Sequence, residues 1–211
     1  MRALVTGASG FIGSAVVAEL IGAGHQALGL ARSDASAADL TAAGAETLRG
    51  AIEDLDILRA AAAECEGVVH LAFNHDFSQH QAARAELAAV ETFGDTRAGT
   101  DRPWSSPQGG PVGTERDTPP AAGSPRIVGA RAERGVRSSV VRLSPTVHDG
   151  SMCGLVQQLI GIARDKGFSG CLGDGPNRRP RCTGSTPHAC SASRSRRHRR
   201  DRYCTASVRR V

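Results

Sequence analysis

Through the first hundred positions, short apolar runs alternate with segments whose apolar residues recur at helical spacing. Ala3-Leu4-Val5 is the first run, and Ala15, Val16, Leu20 and Ile21 then repeat at helix period before Gly22 and Gly24 supply a stop. The alternation continues. Gln26 to Ala31, Glu46 to Gly50 and Gly67 to Ala72 read as strands, with Leu55, Leu58, Ala61 and Ala62, then Ala82 to Val90, as helices between and after them. Such alternation predicts an α/β fold, a doubly wound parallel sheet covered by helices. Arg137 to Leu143 reads as a sixth strand, and Gly154 to Lys166 as a helix through Leu155, Leu159, Ile160 and Ile162. In between, Asp101 to Arg126 is rich in Pro, Gly, Ser and Thr, with Trp104 the only large apolar anchor where a fifth strand is due. The pattern therefore predicts a sheet that is incomplete after its fourth strand, in a domain over 1–177 that is irregular over 99–136.

The richest local motif is Thr6-Gly7-Ala8-Ser9-Gly10-Phe11-Ile12-Gly13, a glycine-rich turn between the first strand and the first helix. Gly7 permits the tight turn, Gly10 lets a ligand approach the backbone, and Gly13 lets the helix pack closely on the strand. This arrangement offers unpaired N–H groups and the positive end of a helix dipole to a pyrophosphate. Gly7, Ser9, Gly10, Phe11, Ile12 and Gly13 are the candidate cofactor contacts; the alternative is a strand-turn-helix with no ligand.

The Thr-led Gly-x-x-Gly-x-x-Gly spacing resembles the extended short-chain dehydrogenase/reductase superfamily, the NAD-dependent epimerase/dehydratase proteins, over roughly the first half of the chain. The resemblance implies a Rossmann-like NAD(P)-binding domain, an ancestral hydride transfer on a carbonyl, a secondary alcohol or a nucleotide sugar, a small-molecule substrate, and a homodimer in intact relatives. The second strand ends in Ala31-Arg32-Ser33, where an acid would hold the adenosine ribose. A cation and a hydroxyl suit a 2′-phosphate, so NADP(H) is favoured over NAD(H). The alternative is a solvated Arg32, with Asp34 serving the ribose. Ala51 stands where the family places an adenine-binding Asp, leaving Ile52 to offer apolar contact. Leu71 and Ala72 match the strand end beside the nicotinamide ribose, and His70, inside that strand, reads as packed or hydrogen-bonded rather than as an acid or base. Arg142, Pro145 and Val147 resemble the segment bordering the substrate pocket. Arg178 is a candidate partner for an anionic substrate group or else a solvated arginine.

The family's proton relay is missing. A Tyr-x-x-x-Lys pair is expected after the fifth strand, yet Tyr203 is the only tyrosine and Lys166 the only lysine, far apart and in the wrong order. No catalytic residue is assigned, and activity is expected to be impaired; the second reading is a non-catalytic NADP(H)-binding sensor or regulator. Read two nucleotides later, Trp104 to Gly109 supply codon endings that permit Leu-Val-Val-Thr-Ser-Gly, an apolar strand ending in hydroxyls. The same shift turns Cys182 to Ser193 into an amphipathic segment, so the chain reads as frameshifted in its middle and C-terminal parts.

Charge then separates tail from body. Residues 1–177 carry 15 basic and 20 acidic side chains, whereas 178–211 carry 11 arginines and one acid, within a formal net charge of +5. The tail is expected to be disordered. Its arginines give a third reading, nucleic-acid association, although frameshifted codons also yield arginine and nucleic acid is not an expected partner. The six cysteines show no paired spacing, so free thiols and no metal site are expected. No run of some 18 apolar residues occurs and glycines interrupt the N-terminal apolar stretch, which predicts no membrane association and a cytoplasmic protein.

Overall fold

The structure, a computed structural model, describes residues 1–73, 80–108, 134–143, 146–148, 155–171, 174, 181–183 and 202–205. Its elements run β1 (Arg2–Thr6), α1 (Phe11–Gly22), β2 (Gln26–Ala31), α2 (Asp34–Ala42), β3 (Glu46–Arg49), α3 (Leu55–Glu64), β4 (Gly67–His70) and α4 (His80–Arg97). They continue as β5 (Pro103–Gln108), β6 (Arg137–Arg142), β7 (Thr146–His148), α5 (Leu155–Lys166), β8 (Arg181–Thr183) and β9 (Arg202–Thr205).

Seven strands form one parallel sheet in the order β3-β2-β1-β4-β5-β6-β9. Strand alternation sends Ala3 and Val5 to one face, against Val16, Val17 and Leu20 of α1 and Leu40 of α2. Leu4, Val68, Trp104 and Val140 face the other way, against Leu58, Ala61 and Ala62 of α3 and Ala89, Val90 and Phe93 of α4. Burial on both faces explains why the central strands are apolar almost throughout. The strand order reverses between β1 and β4, and this reversal opens a crevice at their C-terminal ends.

The expectation that the sheet lapses after its fourth strand is corrected by β5. It pairs with β4 at Val68↔Trp104 and Val69↔Ser105, and with β6 from Pro103↔Arg137 to Gln108↔Arg142. Pro103 and Pro107 lie outside the two-residue register with β4, so neither interrupts that pairing. Trp104 supplies the apolar bulk the position needs: its ring centroid lies 6.5 Å from that of Phe93. Polarity is the weakness of this strand. Trp104 Nε1 and Ser106 Oγ are both buried without a hydrogen-bond partner. At the end of α4, Arg97 is buried too; one guanidinium nitrogen donates to the Glu66 carbonyl at 3.3 Å while Nε and the other terminal nitrogen lack partners.

The expectation of a disordered tail is corrected for two of its pieces. β8 pairs with β7 in a separate two-stranded sheet, and β9 pairs with β6, placing Tyr203 opposite Val140 and Cys204 opposite Val141. The outer edge of β6 carries free backbone donors and acceptors, which an extended segment can satisfy whatever its side chains. No helix among the described residues is long and apolar enough to cross a membrane.

An unpartnered buried hydroxyl costs about 1–3 kcal/mol. Ser106→Ala is therefore expected to raise Tm by a few degrees, as read by thermal unfolding. A lower or unchanged Tm would mean that the Ser106 hydroxyl is satisfied in the folded chain.

Candidate functional site

The crevice at the ends of β1 and β4 is built largely from backbone. β1 ends in buried Thr6, and Gly7 then turns with φ +65°, a conformation L side chains seldom adopt. A Cβ on Gly7 would lie 2.8 Å from the amide nitrogen of Ala72 and from the carbonyl carbon of Leu71. The turn closes with the Gly10 amide donating to the Gly7 carbonyl at 3.0 Å, and α1 begins with the Ser14 amide on the Gly10 carbonyl at 2.8 Å. A Cβ on Gly13 would stand 1.9 Å from the Gly7 carbonyl oxygen, so α1 can lie against the turn only because this residue has none.

Gly10 is the N-cap of α1, in extended conformation, and no side chain caps the helix or places an acid in its first turn. Amides at the start of α1 therefore have no side-chain acceptor of their own, and the positive dipole end is uncompensated. Ser9 and Gly10 are exposed, while Phe11 and Ile12 are half-buried, Ile12 against the core below. The arrangement can take an anion over the turn.

Thr6 ties β1 to the end of β4. Its Oγ1 accepts from the amides of Leu71 at 3.1 Å and Ala72 at 3.2 Å, and it stands 2.7 Å from His70 Nδ1. His70 is fully buried, with its ring 5.4 Å from that of Phe93. Burial lowers its pKa from 6.5 to about 4.

At the end of β2, Arg32 is exposed and has no hydrogen bond or ion pair among the described residues. Ser33 caps α2: its Oγ accepts from the Ser36 amide at 3.2 Å while its own amide donates to Ser36 Oγ at 3.0 Å. Asp34, the alternative ribose partner, is engaged by Arg49 at 3.0 Å in an exposed pair. Ile52 packs among Leu30, Leu58 and their neighbours and is 7% exposed, so its side chain belongs mainly to the core.

Other sequence-derived positions disperse. Arg142 ends β6, paired in register with Gln108 and Thr205, whereas Val147 sits on β7 opposite Cys182, in a different sheet. Pro145 and Arg178 lie outside the described residues. Tyr203 is on β9 and Lys166 ends α5. The Thr6 hydroxyl was not singled out by sequence reasoning, although a hydroxyl residue directly before the turning glycine was its visible signal.

Residues 3–97 match the profile of the NAD dependent epimerase/dehydratase family. An uncharacterized protein of Schizosaccharomyces pombe is 42% identical over 190 residues, covering 84% of this chain and 64% of that protein. An uncharacterized protein of Saccharomyces cerevisiae is 36% identical over 192 residues, with the same shares of each. The chain thus spans 64% of the length of these curated relatives. Among solved structures, MoeE5 in complex with UDP-glucose and NAD superposes with a TM-score of 0.72 at 20% identity, covering 97% of this chain and 75% of its own. WbmG of Bordetella bronchiseptica in complex with NAD gives a TM-score of 0.72 at 18% identity, over 97% and 72% respectively. At these identities the two structures establish the fold.

Two outcomes test this geometry. Gly13→Ala should either unfold the chain or displace α1, costing at least about 3 kcal/mol by denaturant unfolding, because the obstructing atom is backbone. For pH, the folded state binds the His70 proton less readily than the unfolded state. Stability should be full above pH 6.5 and fall as pH drops from 6.5 toward about 4. The loss should total about 3 kcal/mol, and His70→Asn should flatten it; parallel pH profiles for the two proteins would contradict the assignment.

Proposed function

We propose, from the match of residues 3–97 to the NAD dependent epimerase/dehydratase family, that the chain binds a nicotinamide dinucleotide with the pyrophosphate over the Gly7–Gly13 turn. One observation carries the proposal: an uncapped helix start sits at the reversal of the sheet, behind a turn where Cβ atoms at Gly7 and Gly13 would strike backbone. A cradle lined by amides, with no side chain in the way, fits a diphosphate. Bound there, the nicotinamide would supply two-electron redox chemistry. The chain's own part is to hold the diphosphate on α1 and to bring the Leu71–Ala72 backbone alongside the turn.

Arg32 supports NADP(H) over NAD(H), because it is an exposed cation at the end of β2 while the neighbouring acid, Asp34, is held by Arg49. The substrate class proposed is a nucleotide sugar or a related carbonyl or secondary alcohol, by analogy with MoeE5, which was solved with UDP-glucose. Turnover is impaired in this reading. Without a tyrosine–lysine relay, proton transfer would fall to water, a loss on the order of a hundredfold to ten-thousandfold. The lack of a Tyr-x-x-x-Lys pair in the sequence equally favours a second reading, a cofactor-binding sensor without catalysis. The unpartnered Trp104 and Ser106 polar atoms support the frameshift, since the alternative reading frame would place apolar residues at both positions. Coding DNA around Pro103 and Arg181 would decide it.

NADPH fluorescence should rise saturably on titration with the chain, and Gly10→Val should abolish the rise, since even a Cβ there would lie 3.1 Å from the Gly7 carbonyl. Equal curves for the two proteins would remove the cradle from the account. Arg32→Asp should weaken NADPH relative to NADH by about 1–3 kcal/mol. An unchanged ratio would make Arg32 a solvated side chain.

A further inference from the structure

We propose that His70 is a positioning residue of the dinucleotide cradle, acting through the Thr6 hydroxyl. The inference rests on the dinucleotide reading above. A threonine hydroxyl has one proton and two lone pairs. Both lone pairs of Thr6 Oγ1 are directed to amides, that of Ala72 at 3.2 Å and that of Leu71 at 3.1 Å, the latter shared with the Thr6 carbonyl at 3.2 Å, so its proton is left for His70 Nδ1 at 2.7 Å. His70 must then accept at Nδ1 and carry its own proton on Nε2, which is buried without a partner.

The consequence lies at the turn. The segment held by these two amides is the one against which Gly7 packs, where an added Cβ would lie 2.8 Å from the Ala72 nitrogen. If the acceptor at Nδ1 is removed, the buried hydroxyl proton must find another acceptor. The hydroxyl then rotates off the Ala72 amide, while Leu71 keeps the Thr6 carbonyl, so the wall behind the glycine turn slackens at Ala72. The groups facing His70 are Thr6 from β1 and Phe93 from α4, with Ser106 of β5 one step beyond the paired Val69 and Ser105. None of these is charged, and among the described residues the ring's one hydrogen bond is to Thr6.

Nitrogen-resolved NMR of the wild-type chain should show His70 in the Nε2-protonated form near neutral pH; an Nδ1-protonated ring would overturn the proposal without any variant. In NADPH titrations, His70→Phe, which keeps a ring but removes the acceptor, should raise Kd about tenfold, the size of one buried hydrogen bond. His70→Asn returns a side-chain acceptor and should stay within about twofold of wild type. Thr6→Val should match His70→Phe, and the double variant should be no worse than Thr6→Val alone. Additive losses in the double variant, or wild-type affinity in His70→Phe, would overturn the inference while leaving the cofactor reading intact. A wild-type chain that binds neither NADPH nor NADH would overturn both. Should His70→Phe fail to fold, the tautomer, His70→Asn and a Thr6→Val against Thr6→Ser comparison decide the matter, because serine keeps the hydroxyl and valine keeps the shape.

Discussion

At the junction of β1 and β4 a single hydroxyl, Thr6 Oγ1, gathers the amides of Leu71 and Ala72 beside the ring of His70. Gly7 turns with positive φ against that backbone, which a Cβ there would strike, and α1 starts from the turn. The contact is small, but it links the two central strands at the point where the sheet reverses direction. A buried hydrogen-bond set of this kind is stabilising when every lone pair is used and damaging when one is lost.

The other half of the sheet shows the opposite condition. β5 occupies its slot because β6 pairs with it along its whole length and Trp104 fills the volume over Phe93. Yet Trp104 Nε1, Ser106 Oγ and two Arg97 nitrogens are buried without partners, and burial beside Arg102 lowers the Arg97 pKa to about 10. The hydrogen-bonded Thr6 hydroxyl at β1 and β4 thus adjoins unpartnered polar atoms at His70 Nε2, at β5 and at the end of α4. The N-terminal half carries the ordered glycine turn, whereas β5 and the end of α4 bury polar atoms without partners among the described residues.

What was legible in the sequence follows the same division. The glycine turn could be read because the demands at Gly7 and Gly13 are local ones that no distant contact can waive. β1, β2 and β4 showed as apolar runs because burial on both faces demands it, whereas the exposed edge strand β3 is mostly polar. β5 was not legible: Trp-Ser-Ser-Pro has no strand period, and its place is set by two neighbouring strands that local reading cannot see. Ile52 was read as a cofactor contact and is mainly core, since an apolar residue after a strand looks alike in either role. Arg142 and Val147 stand close in sequence yet fall in separate sheets, a division set by strand pairing that local reading cannot see. His70 was legible as a bonded histidine, but its partner, 64 residues away, was not.

The central claim is that the β1–α1 turn, braced by Thr6 against β4, is a dinucleotide cradle. Amide hydrogen exchange on the intact chain, with and without saturating NADPH, tests it at the residues concerned. The account predicts that protection rises at the amides of residues 11–13, with the already bonded Gly10, Leu71 and Ala72 amides slow in both states. Unchanged exchange across residues 7–13 in the presence of bound NADPH, or protection confined to another part of the sheet, would contradict it.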